Sequence, residues 1–412
     1  MIKKSLILFL SLCLFGCSTQ IESMGGFIGN NKDIGIYVPD AFNVAVLLPT
    51  SGAYAKTGTG MRNATQMALE DTNNPNLILR FYDTKSNPTD ARIALENALS
   101  NNPDLIIGPL LSANLKSISP KLGWKNIPII SFATNPDALS KDVYSIGLLS
   151  ENQIDRMFEY TSNLGKQKFA LLLPENNTGQ SISKSAEKIA SNYNVDIIST
   201  TFYPPQTTDF SSVLKNMTNY DERKKLMNAY KAGLEAKALE GDEQAQRELK
   251  TLGENDAMVG VDFDAVLIAD GGARLKSALS MFGYYDVSYP EVLFFGTSVW
   301  EGTELNDEEN AIGSLYPALS RQYSSYFNNK YESLFQEKPS TLYALAYDAT
   351  ALASTLSKAP NLKDAILKKD GYAGLNGVFR FLENGQSEHV LDIYQVRKDG
   401  DTIINVAPKK FK

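Results

Sequence analysis

Val44–Asp71, VAVLLPTSGAYAKTGTGMRNATQMALED, decides the fold. VAVLL is a continuous apolar run, the pattern of a parallel strand covered on both faces. Pro49 has no N–H to give to a sheet and stops the strand. Ser51, Gly52, Gly58 and Gly60 then supply small, permissive backbone, and Met61, Ala64, Met67 and Ala68 share one face of a helix. Strand, polar turn and helix in this order put a polar loop and a helix N-terminus at the carboxyl end of a strand. Open α/β sheets bind ligands there.

Outward from this unit the alternation continues. Strand-like runs at Leu77–Tyr82, Leu105–Ile107 and Ile127–Ile130 enclose helical runs near 60–72, 89–100 and 112–122. A second series follows, with strands at Phe169–Leu173, Ile197–Phe202, Phe263–Ala269 and Val292–Phe295 and helices near 151–164, 179–192 and 272–284. Two α/β lobes of Rossmann-like type, each with a parallel sheet, are expected. Residues 219–258 break the pattern: they are highly charged and lack strand signals. Leu226, Tyr230, Leu234 and Leu239 recur at near-helical spacing, and Gly241-Asp242 reads as a break with Asp242 as an N-cap. A helical hairpin inserted in the second lobe is expected here, either packed on its own lobe or used to dock a partner.

The N-terminus reads as a targeting segment. Lys3 and Lys4 precede the apolar run Leu6–Phe15, which is too short to span a bilayer as a helix. Cys13 and Cys17 are the only cysteines, so the chain offers no disulfide framework and no cysteine-based metal site beyond this region. Residues 18–42 are polar and glycine-containing, as a tether would be. The net charge is −7; removing residues 1–16, with their two lysines, leaves 38 basic against 47 acidic side chains, a net −9. No Lys/Arg stripe forms, so nucleic acid is not an expected partner.

Leu14-Phe15-Gly16-Cys17 resembles a lipoprotein signal. The resemblance implies cleavage after residue 16 and lipid attachment at Cys17, with 17–42 as the tether. Ser18 in place of an Asp implies delivery to the outer membrane and a periplasmic location. The run Pro49, Ser51, Gly52, Tyr54, Ala55, Gly58 resembles the first loop of periplasmic binding proteins of the leucine/isoleucine/valine type, the type I fold. So do Gly108-Pro109 with Ser112, Ile127–Pro136, Tyr343–Ala349, and Gly374-Leu375-Asn376-Gly377 with Phe379–Gly385. By that likeness the first lobe holds 43–148 and 315–372, and the second holds 149–314 and 373–408. Ile130–Asn135 and Phe263–Asp270, with the charged insert ahead of the latter, further resemble penicillin-binding-protein activator lipoproteins.

The family likeness assigns a cleft. Ser112, Ala133 and Thr134 match positions that hold a ligand carboxylate, and Ser112 also fits as the cap of its own helix. Thr178 stands where amino-acid binders carry a tyrosine, and Ser298 stands near an expected acid. A buried ammonium without a carboxylate is costly, so a free amino acid is a poor fit. Ser51 lies on the first loop, and Tyr54 and Trp300 could stack on a larger ligand or serve as packing. His389 is the only histidine, read as exposed at a strand start. With one histidine and no cysteine beyond Cys17, neither a thiol nucleophile with its base nor a multi-histidine zinc site is available in the body. No cofactor or metal is expected, and no pair of carboxylates stands out for hydrolysis. The expected function is non-catalytic. It is either regulation of a peptidoglycan synthase (a penicillin-binding protein) or delivery of an amino acid or related small molecule to an ABC permease; a cell-wall hydrolase, which would be catalytic, stands apart as a third and weaker alternative.

Overall fold

The structure is a computed structural model that describes residues 41–121, 126–252, 256–258, 260–320 and 323–411. The expected signal peptide, Cys17 and nearly all of the tether lie outside the described residues.

The first lobe opens with β1 (Phe42–Leu48), α1 (Ala55–Thr72), β2 (Leu77–Asp83), α2 (Pro88–Leu99), β3 (Leu105–Ile107), α3 (Ser112–Ile118), β4 (Ile129–Ser131) and β5 (Val143–Ser145). The strands form a parallel sheet in the order β2-β1-β3-β4-β5. Apolar residues on both faces of β1 explain its central place. Val44, Val46 and Leu48 enter one core with Met61 and Met67, while Ala45 and Leu47 enter the other with Ala91 and Leu95. This is the two-residue side-chain period of a strand buried on both sides.

The second lobe runs through α4 (Ser150–Asn163), β6 (Lys168–Pro174), α5 (Asn177–Ala190), β7 (Asp196–Tyr203), α6 (Ser211–Met217), α7 (Tyr220–Leu239), α8 (Glu243–Leu252), β8 (Ala265–Ile268), α9 (Gly272–Tyr284), β9 (Leu293–Gly296) and β10 (Leu315–Leu319). The chain then forms α10 (Ser325–Phe335), α11 (Thr341–Leu356) and α12 (Leu362–Ile366), followed by β11 (Tyr372–Gly374), β12 (Gly377–Phe381), β13 (Ser387–His389), β14 (Leu391–Gln395) and β15 (Thr402–Asn405). The second sheet has the order β15-β14-β10-β9-β8-β6-β7, with its last five strands parallel and β14 and β15 antiparallel at one edge.

The expected lobe boundaries need correction at two places. Leu315–Leu319 pairs with β9 and β14, so β10 is a strand of the second sheet and not the start of the return to the first. The return follows it: Phe327, Tyr331, Tyr343 and Leu352 of α10 and α11 enter the core around β1. Residues 372–389 form a separate three-stranded sheet, and Phe379 and Phe381 pack into that same first core. Only β14 and β15 of the C-terminal stretch join the second sheet. Short strands with mixed burial, such as β11, carry too little pattern for their partner to be read from sequence.

The insertion is a helical hairpin, α7 and α8, and Asp242 caps α8 through the N–H groups of Gln244 and Ala245. Its inward face differs from the expected leucine stripe. Tyr220, Arg223, Met227 and Leu234 are buried, whereas Leu226 and Tyr230 are exposed and Leu239 is 90% exposed. The hairpin is fastened by Arg223. Its buried guanidinium donates to the carbonyl oxygens of Met258 (2.8 Å), Tyr285 (3.0 Å), Asp286 (3.1 Å) and Thr218 (3.5 Å). In return the Asp286 carboxylate accepts the N–H groups of Asp256 and Ala257 at 3.0 and 2.9 Å. The base of the insertion is therefore part of the second core, where Tyr220 and Ala257 also lie.

Candidate functional site

Strand order reverses between β1 and β3 in the first sheet and between β6 and β8 in the second. In an open α/β sheet the crevice outside the carboxyl ends at such a switch point is where ligands bind. Both lobes build that edge in the same way. In each, a proline stands at the strand end, Pro49 just after β1 and Pro174 as the last residue of β6, and a helix begins a few residues later. A Cβ on Gly58 would lie 2.1 Å from the Pro49 carbonyl oxygen, and one on Gly179 would lie 2.0 Å from that of Pro174. Only glycine lets each helix start this close to the strand end.

In the first lobe the loops after β1 and β2 are locked together. The Ser51 hydroxyl and N–H donate to Asp83 at 2.6 and 3.2 Å, and Ser86 donates to the Ser51 carbonyl and accepts from the Tyr54 N–H. Burial works against the Asp83 carboxylate, but the bonds from Ser51 and the Lys85 N–H outweigh it and hold the group below its usual pKa. Ser51 thus spends its donors inside the protein. The Tyr54 ring is half exposed on the same loop. Ser112 at the start of α3 accepts the Asn135 N–H at 3.3 Å, which joins the loops after β3 and β4. Thr134 is exposed beside it.

Ala133 does not offer its N–H to a ligand, contrary to expectation. That N–H donates to the Ser131 hydroxyl at 3.0 Å, and the Ala133 carbonyl accepts from Ser145. These bonds tie β4 to β5, and a buried peptide group must be satisfied in this manner.

In the second lobe Thr178 is exposed on the first turn of α5, after Asn176 has capped the Gly179 N–H. The Ser298 N–H donates to the Gln153 side chain at 2.6 Å, so it too is engaged within the lobe. Of the two readings of Trp300, packing holds and ligand stacking is corrected. It is fully buried in the second core, its ring N–H donates to the Ile268 carbonyl at 3.0 Å, and it has no face left for stacking on a ligand.

The carboxyl end of β8 carries a group that sequence reasoning left unassigned. Asp270 accepts two bonds from Arg274 (2.7 and 2.9 Å), one from the Tyr203 hydroxyl (2.7 Å) and one from the Gly271 N–H (2.8 Å). Burial raises its pKa, and Arg274, Tyr203 and Gly271 more than offset that, leaving it below the usual value. The Asp270–Arg274 spacing of four residues across a helix start was the available signal. A ligand ammonium seeking Asp270 would have to compete with this bidentate guanidinium.

His389, expected to be exposed, is buried. Its ring stacks on Phe379 at 5.7 Å and its Nε2 lies 3.1 Å from the Ile146 carbonyl, so Nε2 carries the proton. Burial pushes its pKa down to about 4, against the pull of the carbonyl contact. A histidine whose pKa is depressed by folding contributes stability that is complete above its unfolded value, near 6.5, and is lost as the pH falls through about 4. His389→Gln keeps an N–H donor but cannot charge. Between pH 7 and pH 4 the wild type is expected to lose about 3 kcal/mol relative to this variant, read from urea unfolding at each pH. A constant difference would contradict the assignment. Buried Asp348 acts with the opposite sign in both proteins: burial raises its pKa to about 7 against the N–H groups of Leu375 and Asn376.

Among the described residues no three His, Cys, Asp or Glu side chains gather as a metal site, and no helix is long and apolar enough to cross a membrane.

With this geometry established, comparison places the chain. A family model described as periplasmic binding protein matches residues 41–401. The chain belongs to that family, and its two-lobed α/β architecture is that of the type I fold. The fold is similar to that of a proposed branched-chain amino acid ABC transporter from Rhodospirillum rubrum (TM-score 0.69, 17% identity, 88% of this chain and 100% of that one). It is also similar to an ABC transporter substrate-binding protein from Sphaerobacter thermophilus (TM-score 0.65, 16% identity, 90% and 98%). A third similar structure is the branched-chain amino acid transporter substrate binding protein LivJ of Streptococcus pneumoniae in complex with isoleucine (TM-score 0.59, 18% identity, 89% and 100%). In sequence the chain is 26% identical over 220 residues to an uncharacterized protein of Rickettsia prowazekii strain Madrid E. That match spans only 53% of this chain and 57% of that protein.

Proposed function

We propose that this protein is a non-catalytic, lipid-anchored periplasmic binding protein that acts through protein contacts, as a regulator of a penicillin-binding peptidoglycan synthase. The observation that carries this reading is the fate of the amino-acid-binding groups. Ala133 spends its N–H on Ser131, Ser298 brings no carboxylate to the place of the expected acid, and Asp270 is held by Arg274. A free amino acid needs N–H donors for its carboxylate and an acceptor for its ammonium. The charged helical hairpin fastened to the second lobe by Arg223 supports contact with a protein, as do the motifs at Ile130–Asn135 and Phe263–Asp270. An outer-membrane anchor at Cys17 belongs to the same reading.

A second reading has its own support. The similar structures are described as transporter substrate-binding proteins, one of them with isoleucine bound. Ser112, Thr134 and Thr178 keep hydroxyls at the strand-end edges. On that reading the partner is an ABC permease and the ligand a small molecule. Calorimetric titration of the purified protein with leucine and isoleucine separates the two. No binding at micromolar concentrations is expected, and micromolar or tighter binding would sink the regulatory reading of the cleft.

A further inference from the structure

A groove of about 510 Å³ lies at the opposite end of the second lobe, away from the carboxyl ends of its parallel strands. It forms where the chain returns from the helical insertion and runs past the end of α9 and the start of β9. Its floor is apolar: Phe263, Val287 and Val292 are buried, with Val261 partly exposed. The charged residues that line it are Asp264, Asp286 and Glu291, all acidic, and no Lys or Arg is among the lining residues.

Two of the acids are built in. Asp264 accepts the N–H groups of Gln167 and Lys168, and Asp286 accepts those of Asp256 and Ala257. Glu291 is exposed, and among the described residues its carboxylate has no hydrogen-bond or ion-pair partner. Two tyrosines next in sequence to lining residues stand out in solvent, Tyr284 at 70% and Tyr289 at 46% exposure. Lys166, from the loop after α4, already places its ammonium on the carbonyls of Pro290 and Glu291 at 3.2 and 3.0 Å, so this loop accepts a cation at its edge.

The geometry points to a docking groove for a basic peptide segment of a partner protein, with an apolar side chain on the groove floor and Lys or Arg ammonium and guanidinium groups against Glu291. Charge complementarity selects this occupant, since three carboxylates line the groove without a lining base. The apolar floor favours a peptide over a small cation, because a bare cation gains nothing from covering Phe263, Val287 and Val292. The inference goes beyond the proposed function. It concerns the groove alone and stands whether the partner is a synthase or a permease.

The test uses the full chain in detergent and two fluorescein-labelled probes, Lys-Leu-Lys-Tyr-Lys and Glu-Leu-Glu-Tyr-Glu, read by fluorescence anisotropy. The basic probe is expected to bind and the acidic one not to. Glu291→Lys should weaken binding about tenfold or more, the scale of losing one complementary charge and gaining a repulsive one. Asp370→Lys, a matched reversal at an exposed site in the first lobe, should leave it unchanged. No binding of the basic probe, equal binding of the acidic one, no effect of Glu291→Lys, or an equal loss with Asp370→Lys would each overturn the proposal. Leucine calorimetry is untouched by all of these outcomes, so failure here is distinguishable from failure of the proposed function.

Discussion

Arg223→Met is expected to destabilise the second lobe by about 3–5 kcal/mol, because several buried carbonyl oxygens lose their donor at once. The wild-type guanidinium reaches the carbonyls of Met258, Tyr285, Asp286 and Thr218 and has few alternatives, being itself buried. Methionine matches the stem but donates nothing. The carbonyls it abandons belong to the two ends of the insertion and to the turn after α9, so the loss concentrates there. Limited proteolysis should cut within 219–258 well before the rest of the chain, and the urea midpoint should fall. Arg223→Lys should recover part of the loss, since an ammonium can reach one or two carbonyls but lacks the planar fork. An unchanged midpoint with unchanged protection of the insertion would show that the hub is dispensable.

Trp300→Ala is expected to cost about 3–5 kcal/mol by opening a cavity in the second core. The indole is fully buried beside Tyr316 and Leu305, and a Cβ on Gly296 would come within 2.1 Å of it. Trp300→Phe should cost less, but it removes the donor to the Ile268 carbonyl and leaves part of the volume empty. Thermal or urea unfolding measures both. A Trp300 that stacked on a ligand would show the reverse pattern, with near-normal stability and altered ligand binding.

The fold was legible because both sheets are built from strands covered on two faces. Val44–Leu48, Phe169–Leu173 and Val266–Ile268 are apolar without interruption, as strands of a parallel sheet covered by helices on each side are. The insertion was legible from charge and from the Gly241-Asp242 break. Its orientation was not, because the residue that fastens it is an arginine, and an apolar pattern points past it to Leu226 and Tyr230. The placement of β10 and of the small sheet at 372–389 depended on pairing between segments distant in sequence, which local pattern does not encode. At the strand ends, sequence picked out loops but not the hydrogen bonds made within them. Whether the N–H groups of Ala133 and Ser298 face a ligand or a neighbouring side chain is set by Ser131 and Gln153 in three dimensions. His389 and Trp300 show the same limit, since their burial follows from packing against Phe379 and the second core.

The most direct test of the account is capture of the full chain from crosslinked native membranes, with partners identified by mass spectrometry and the Arg223→Met variant run beside the wild type. The account predicts enrichment of a penicillin-binding peptidoglycan synthase with the wild type and its loss with the variant. Enrichment of an ABC permease instead, retained when Arg223 is replaced, would contradict it and return the strand-end cleft, with Ser112 and Thr134, to the centre of the function.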